Sequence, residues 1–169
     1  HPSGRLEPAE RPITVEDLLT HRAGFTYEFI TGCHIAPLYH QHNIVGDGRR
    51  SLAEMMAMLA KQPLAFQPGS QFRYSVATDV LAHVIERATG ENLGELLKAH
   101  IFDPLGMSEI GFAVPESERG RILPMFGIED IRDLSPLNPP AQQTLQPVNV
   151  DGMYPADDPH LSRGGHGLF

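Results

Sequence analysis

The run from Val76 to Gly90 leaves the chain little conformational choice. Val76, Val80, Leu81, Val84 and Ile85 recur at helical spacing and make one apolar face. Gly90 supplies the left-handed residue with which such a helix ends. The helix is entered from Pro68-Gly69, a turn, through Tyr74-Ser75-Val76. A tyrosine and a serine in that place have two readings. One is a helix cap beside a packed ring. The other is chemical: a phenolic oxygen at a helix N-terminus, where backbone N–H groups and the dipole favour negative charge, can serve as a base.

Other helices announce themselves by their caps. Thr14-Val-Glu-Asp17 is a Thr-x-x-acid start signal for a short helix from Val15 to Thr20, broken by Gly24. Ser51-Leu-Ala-Glu54 is a capping box opening a helix from Leu52 to Lys61, ended by Pro63. Its Leu52, Met55, Met56 and Leu59 share a face, a stripe that reads as core packing. Asn92, with Glu95 three residues on, predicts a third helix from Leu93 to Ile101, closed by Pro104 and Gly106. Residues 1–13 read as extended, and 25–50 as a long irregular loop. Ile110–Val114 reads as a short strand, and the Pro-rich remainder as mostly loop. No repeat and no internal boundary is visible, so residues 1–169 read as a single, partial domain.

With 169 residues, 41% of them hydrophobic and 20% charged, the chain has the make-up of a soluble globular protein. A formal charge of −8 without any basic run argues against a nucleic-acid partner or a polybasic membrane contact. No apolar stretch approaches a membrane span, and no signal-peptide pattern is present, which favours a cytoplasmic protein. The single Cys33 excludes an internal disulfide and is compatible with a reducing compartment. Cys33, His34, His40 and His42 fit no zinc spacing with a second ligand pair, so they read as a polar loop and no metal or cofactor is expected. His21, at the end of the first helix, is expected to make structural hydrogen bonds.

Among nucleophile signatures, Gly-x-Ser-x-Gly is missing. None of the eight serines (3, 51, 70, 75, 108, 117, 135 and 162) has a lysine three positions on. A Ser-x-x-Lys nucleophile therefore has no place in these 169 residues.

Three segments nevertheless form an ordered set: Leu18-Leu-Thr-His-Arg-Ala-Gly24, Gln67-Pro-Gly-Ser-Gln-Phe-Arg-Tyr-Ser75 and Ile101-Phe-Asp-Pro-Leu-Gly-Met107. Together they resemble the serine β-lactamase and penicillin-binding-protein-like superfamily, most of all carboxylesterases on the class C β-lactamase scaffold. Gly164-Gly-His-Gly-Leu168 is similar to the Gly-rich segment before a later helix of those proteins. The resemblance implies an α+β fold, of which this chain is the mostly helical portion, with long Pro/Gly-rich loops and little of the central antiparallel sheet. It marks the chain as a middle fragment of a longer enzyme.

The resemblance also implies acyl transfer through a serine ester, with the nucleophile outside this chain. Tyr74 takes the place of the tyrosine of Tyr-x-Asn and with it the role of general base, its acidity raised by the absent lysine. Ser75, Val76, Gly165 and His166 are the substrate-pocket candidates. Val76 stands where the lactamases have asparagine, which argues against β-lactam hydrolysis and is typical of the esterase branch. The expected reading is a carboxylesterase segment acting on small esters. The alternatives are a β-lactamase or D-alanyl-D-alanine peptidase relative, and a non-catalytic fragment or binding relative. A fragment of this kind is expected to be inactive alone and to associate with the missing remainder or with itself.

Overall fold

A computed structural model describes residues 5–127, 145–158 and 160–169. Each local start signal does what its chemistry demands. Helix α1, Val15–Leu19, opens on Thr14, whose hydroxyl accepts from the Asp17 N–H while the Asp17 carboxylate accepts from the Thr14 N–H. Asp17 is also gripped by both terminal nitrogens of Arg11, at 2.6 and 2.8 Å. Helix α2 spans Ala36–Gln41 and α3 spans Leu52–Leu59. The capping box of α3 is closed both ways between Ser51 and Glu54. Helix α4, Ala77–Thr89, ends on Gly90 at φ 77°. Helix α5, Leu93–Leu97, is capped by the Asn92 side chain and runs on as a wider π-type turn, Lys98–Phe102.

Helix α4 is the hub, packing against α1, α3 and α5. One face of its entry, Val76 and Ala77, joins Leu18, Phe25, Tyr27, Tyr39, Met55 and Leu59 in the larger core. Farther along, Ala82 joins Leu52, Leu93 and Phe112 in a second cluster. Burying these apolar faces on α4 is what holds the short helices, since helices of five to eight residues are marginal on their own. Met55 and Leu59 are buried and Met56 partly so, as a core stripe requires.

The stretch 21–26 runs beside 65–76 without forming a regular ladder. The Gly24 carbonyl accepts from Ala65 N–H, that of Arg22 from Gly69 N–H, that of His21 from Arg73 N–H and that of Thr26 from Val76 N–H. Gly24 sits at φ 94°, and a side chain there would meet the Phe66 carbonyl at 2.6 Å, so only glycine suits this crossing.

Three expectations need correction. The 25–50 segment is not wholly irregular, because α2 lies within it. Pro37 pre-sets the backbone of the first turn, and Tyr39 is buried in the core. Ile110–Val114 is not a strand. Gly111 exchanges both hydrogen bonds with Phe169, but Val114 then bonds Ala156, so no single partner continues a ladder. The sheet among the described residues is instead β1, Met125–Gly127, antiparallel to β2, Gln146–Val148, with Phe126 opposite Pro147. Both were read as loop. Pro147 cannot donate to a ladder and masks the second strand in the sequence. No helix among the described residues is long and apolar enough to cross a membrane.

Candidate active site

Tyr74 lies three residues before α4, on backbone tied to the core at both sides. Arg73 N–H donates to His21, at 2.9 Å, and Val76 N–H to Thr26, at 3.4 Å. Val76 is fully buried, and its carbonyl accepts from the amides of Asp79 and Val80 at the start of α4. Ser75 is buried too. The start of α4 has no side-chain cap, so the capping reading of Ser75 fails. Its hydroxyl instead faces His21 Nδ1 at 3.4 Å, the structural contact expected of His21. His21 adopts φ 53° just past α1, which brings its ring round toward Tyr74.

The Tyr74 ring, 51% exposed, stands between two others: His21 at 5.0 Å between centroids and Tyr27 at 5.1 Å. Phe72 meets His21 edge-on at 6.0 Å, and Phe29 stacks on Tyr27 at 5.0 Å. The result is a continuous row of five rings, Phe72, His21, Tyr74, Tyr27 and Phe29. Its two ends and its middle are exposed, while Tyr27 is only 6% exposed. Burial, the nearby charge of Asp79 and contact with Tyr74 push the Tyr27 phenol well above its usual range, so it stays protonated.

Beneath this row, Asp79 in the first turn of α4 is fully buried. Its Oδ1 accepts from the amides of Gly164, at 3.1 Å, and Gly165, at 3.3 Å, while Oδ2 has no partner. Burial raises this carboxyl, against the pull of His166, of Arg163 and of the two glycine amides. The Gly-rich segment is pressed hard onto α4. A Cβ on Gly164 would come within 2.0 Å of the Thr78 carbonyl. One on Gly165 would stand 3.4 Å from both Asp79 Oδ2 and the Tyr27 hydroxyl. His166 follows, its ring edge-on to Tyr154 at 4.9 Å, both nitrogens buried without a partner. Burial lowers its pKa, against the pull of Asp79. Arg163, also buried, fixes the segment's start by donating to the carbonyls of Asp47 and Arg50.

Of the residues singled out in the sequence, Tyr74 and Ser75 are placed together beside His21. Gly165 and His166 lie on a cavity of about 460 Å³ whose other walls include Leu81, Ile85, Leu93 and Phe112. Tyr74, Ser75 and Val76 do not line it, and Val76 is in the core. Cys33 is buried and His40 lies on α2, so this group is not simply a polar loop. Two residues escaped the sequence reading, Tyr27 and Asp79. Asp79 carried a signal: an acid one turn after Val76, on the side of α4 that turns inward.

A helical layer around α4, with little antiparallel sheet, is the helical portion of an α+β, β-lactamase-like fold. The family model for beta-lactamase matches residues 3–166, and the chain belongs to this family. It is 40% identical over 120 residues to Esterase EstB of Burkholderia gladioli, covering 68% of this chain and 30% of that protein. It is 33% identical over 171 residues to Lovastatin esterase of Penicillium rubens, covering 96% of this chain and 38% of that protein. Among solved structures it is similar to EstCE1, a hydrolase with promiscuous acyltransferase activity. There the TM-score is 0.67 at 27% identity, over 95% of this chain and 43% of that one. The chain thus spans about a third of the length of the curated relatives it matches.

Proposed function

We propose that this chain is the tyrosine-bearing segment of a serine carboxylesterase that transfers acyl groups from small esters through a serine ester. The observation that carries the reading is Tyr74: a half-exposed phenol on backbone pinned at both sides, in a chain whose relatives include two esterases. Tyr74 acts as general base. It takes the proton of a serine hydroxyl as that oxygen attacks the ester carbonyl, then returns it to the departing alcohol. Water, or a second alcohol, repeats the sequence in reverse on the acyl-enzyme. The serine belongs to a Ser-x-x-Lys outside these residues, since no serine here has lysine at that spacing.

The exposed rings Phe72 and Phe29 offer apolar surface beside the reacting group. Gly165 and His166 are proposed for the acyl or alcohol pocket through the cavity that they line. Ser75 and Val76 support Tyr74 from the buried side. Valine at position 76 has no amide to offer a β-lactam substrate, which favours esters over lactams.

The test is a chimera in which this chain replaces the matching segment of Esterase EstB. It is expected to hydrolyse p-nitrophenyl acetate and to leave a chromogenic cephalosporin intact. Tyr74→Phe is expected to lower kcat by about 10²–10⁴-fold. A folded, active chimera indifferent to Tyr74→Phe would refute the assignment. The 169-residue chain alone is expected to show no turnover. Ester cleavage by it that disappears in Tyr74→Phe would place the nucleophile inside the chain after all.

A further inference from the structure

We propose that His21 is the positioning residue for Tyr74: its ring, carried on a left-handed turn just past α1, holds the phenol in the orientation from which it takes a proton. The inference rests on the reading of Tyr74 as general base and adds to it the group that aims it.

His21 is joined to four consecutive residues of the segment that bears the base. Its ring meets Phe72 edge-on at 6.0 Å. Its carbonyl accepts from Arg73 N–H at 2.9 Å. Its ring lies against that of Tyr74 at 5.0 Å, tilted by 46°. Its Nδ1 stands 3.4 Å from the hydroxyl of Ser75, a buried residue. The main chain is therefore tied to position 21 just before Tyr74, and the imidazole is anchored just after it. Tyr74 itself is half exposed, so solvent does nothing to hold its side chain on the open face. The rings of His21 and Tyr27 close the two sides that remain.

The backbone at position 21 shows that these contacts come at a cost. Helix α1 ends at Leu19, Thr20 caps it, and His21 follows at φ 53°. Helices take a left-handed residue at this place, and glycine does so without steric penalty. A histidine there is strained, and such strain persists only where the surroundings over-determine it. Here they do. His21 N–H donates to the Leu18 carbonyl at 3.3 Å, and Arg22 N–H to the Asp17 carbonyl at 2.7 Å. The carbonyls of His21, Arg22 and Gly24 are then taken by Arg73, Gly69 and Ala65. Glycine would end α1 equally well but would leave Tyr74 without its neighbour. What histidine adds at this position is the ring, and the ring reaches Phe72, Tyr74 and Ser75. A base must meet its proton in aligned geometry, so a ring that fixes the phenol acts on turnover and not on substrate binding.

Two substitutions separate aiming from packing. His21→Gly keeps the left-handed turn and removes the ring. His21→Phe keeps a ring and strains the turn further, since phenylalanine lacks histidine's tolerance of this conformation. In the chimera with Esterase EstB, His21→Gly is expected to lower kcat on p-nitrophenyl acetate by about 10–10²-fold, with KM within about twofold and an unchanged urea midpoint. His21→Phe is expected to lower the midpoint and to keep most of the turnover. In the 169-residue chain, three-bond NMR couplings to the Tyr74 Cγ are expected to report one χ1 rotamer in the wild type and an average over rotamers in His21→Gly. If His21→Gly does not fold, His21→Asn takes its place with the same expectations, because asparagine also accepts this turn. Turnover that follows the midpoint in both variants overturns the proposal. So do unchanged couplings in a folded variant without the ring. Failure of the base assignment reads out separately: the couplings then change as expected while the chimera's turnover ignores Tyr74→Phe.

Discussion

Replacing Gly164 by alanine tests whether the Gly-rich segment is held on α4 as described. The new Cβ would lie 2.0 Å from the Thr78 carbonyl oxygen, 2.6 Å from its carbon and 2.9 Å from the Ala82 Cβ. None of these can swing away, since two are helix backbone and the third is buried. To restore even a tight contact of 3.0 Å, the segment must lift from α4 by about 1 Å. Its two bonds to Asp79 are already 3.1 and 3.3 Å long, and a lift of that size carries both to about 4 Å, beyond hydrogen bonding. Bonds to a carboxylate contribute about 1.5 kcal/mol each at the low end, so the loss comes to about 3 kcal/mol. Gly165→Ala is the matched control. Its Cβ would meet the rotatable Thr78 hydroxyl at 3.0 Å and otherwise only ordinary contacts at 3.4 Å. A cost of about 0–1 kcal/mol is expected there. Urea denaturation reads both: with a slope of about 2 kcal/mol/M, the Gly164→Ala midpoint falls by about 1.5 M at unchanged slope. Equal midpoints for the two variants, or a Gly164→Ala protein within about 0.5 kcal/mol of wild type, would refute the argument.

Two further outcomes are expected, besides those attached to Tyr74. Burial raises the Asp79 carboxyl in the folded chain, so its contribution to stability is fully present below the unfolded value, about pH 4, and is lost as pH rises through the folded one. Asp79→Asn, which can still accept from both glycine amides, should gain on wild type in melting temperature as pH increases across that window; a constant difference would show that Asp79 does not titrate there. Ser51→Ala removes the hydroxyl that accepts from Glu54 N–H and should cost about 1 kcal/mol by urea midpoint. A change below a few tenths of that would mean the capping box is idle.

Much of the site was legible in part. Tyr74 is marked by its place between a Pro-Gly turn and an amphipathic helix, and the Gly-rich segment by its composition. What each touches was not legible. Asp79 reaches Gly164 across 85 residues and Ser75 reaches His21 across 54. The misreadings share that origin. Helix α2 has no capping side chain, and β2 carries a proline, so neither has a strong local signature.

The sequence by itself determined where α1, α3, α4 and α5 begin, because caps and helical periodicity act within one or two turns of chain. It also determined that no Ser-x-x-Lys lies within these residues. Only the tertiary structure decided that Tyr27 and His21 flank Tyr74, that Val76 is buried, and that Asp79 is sealed beneath the glycines. Those placements follow from how the apolar faces of separate helices bury against α4. Such packing energy belongs to pairs of surfaces distant in the chain, so no local window of residues contains it.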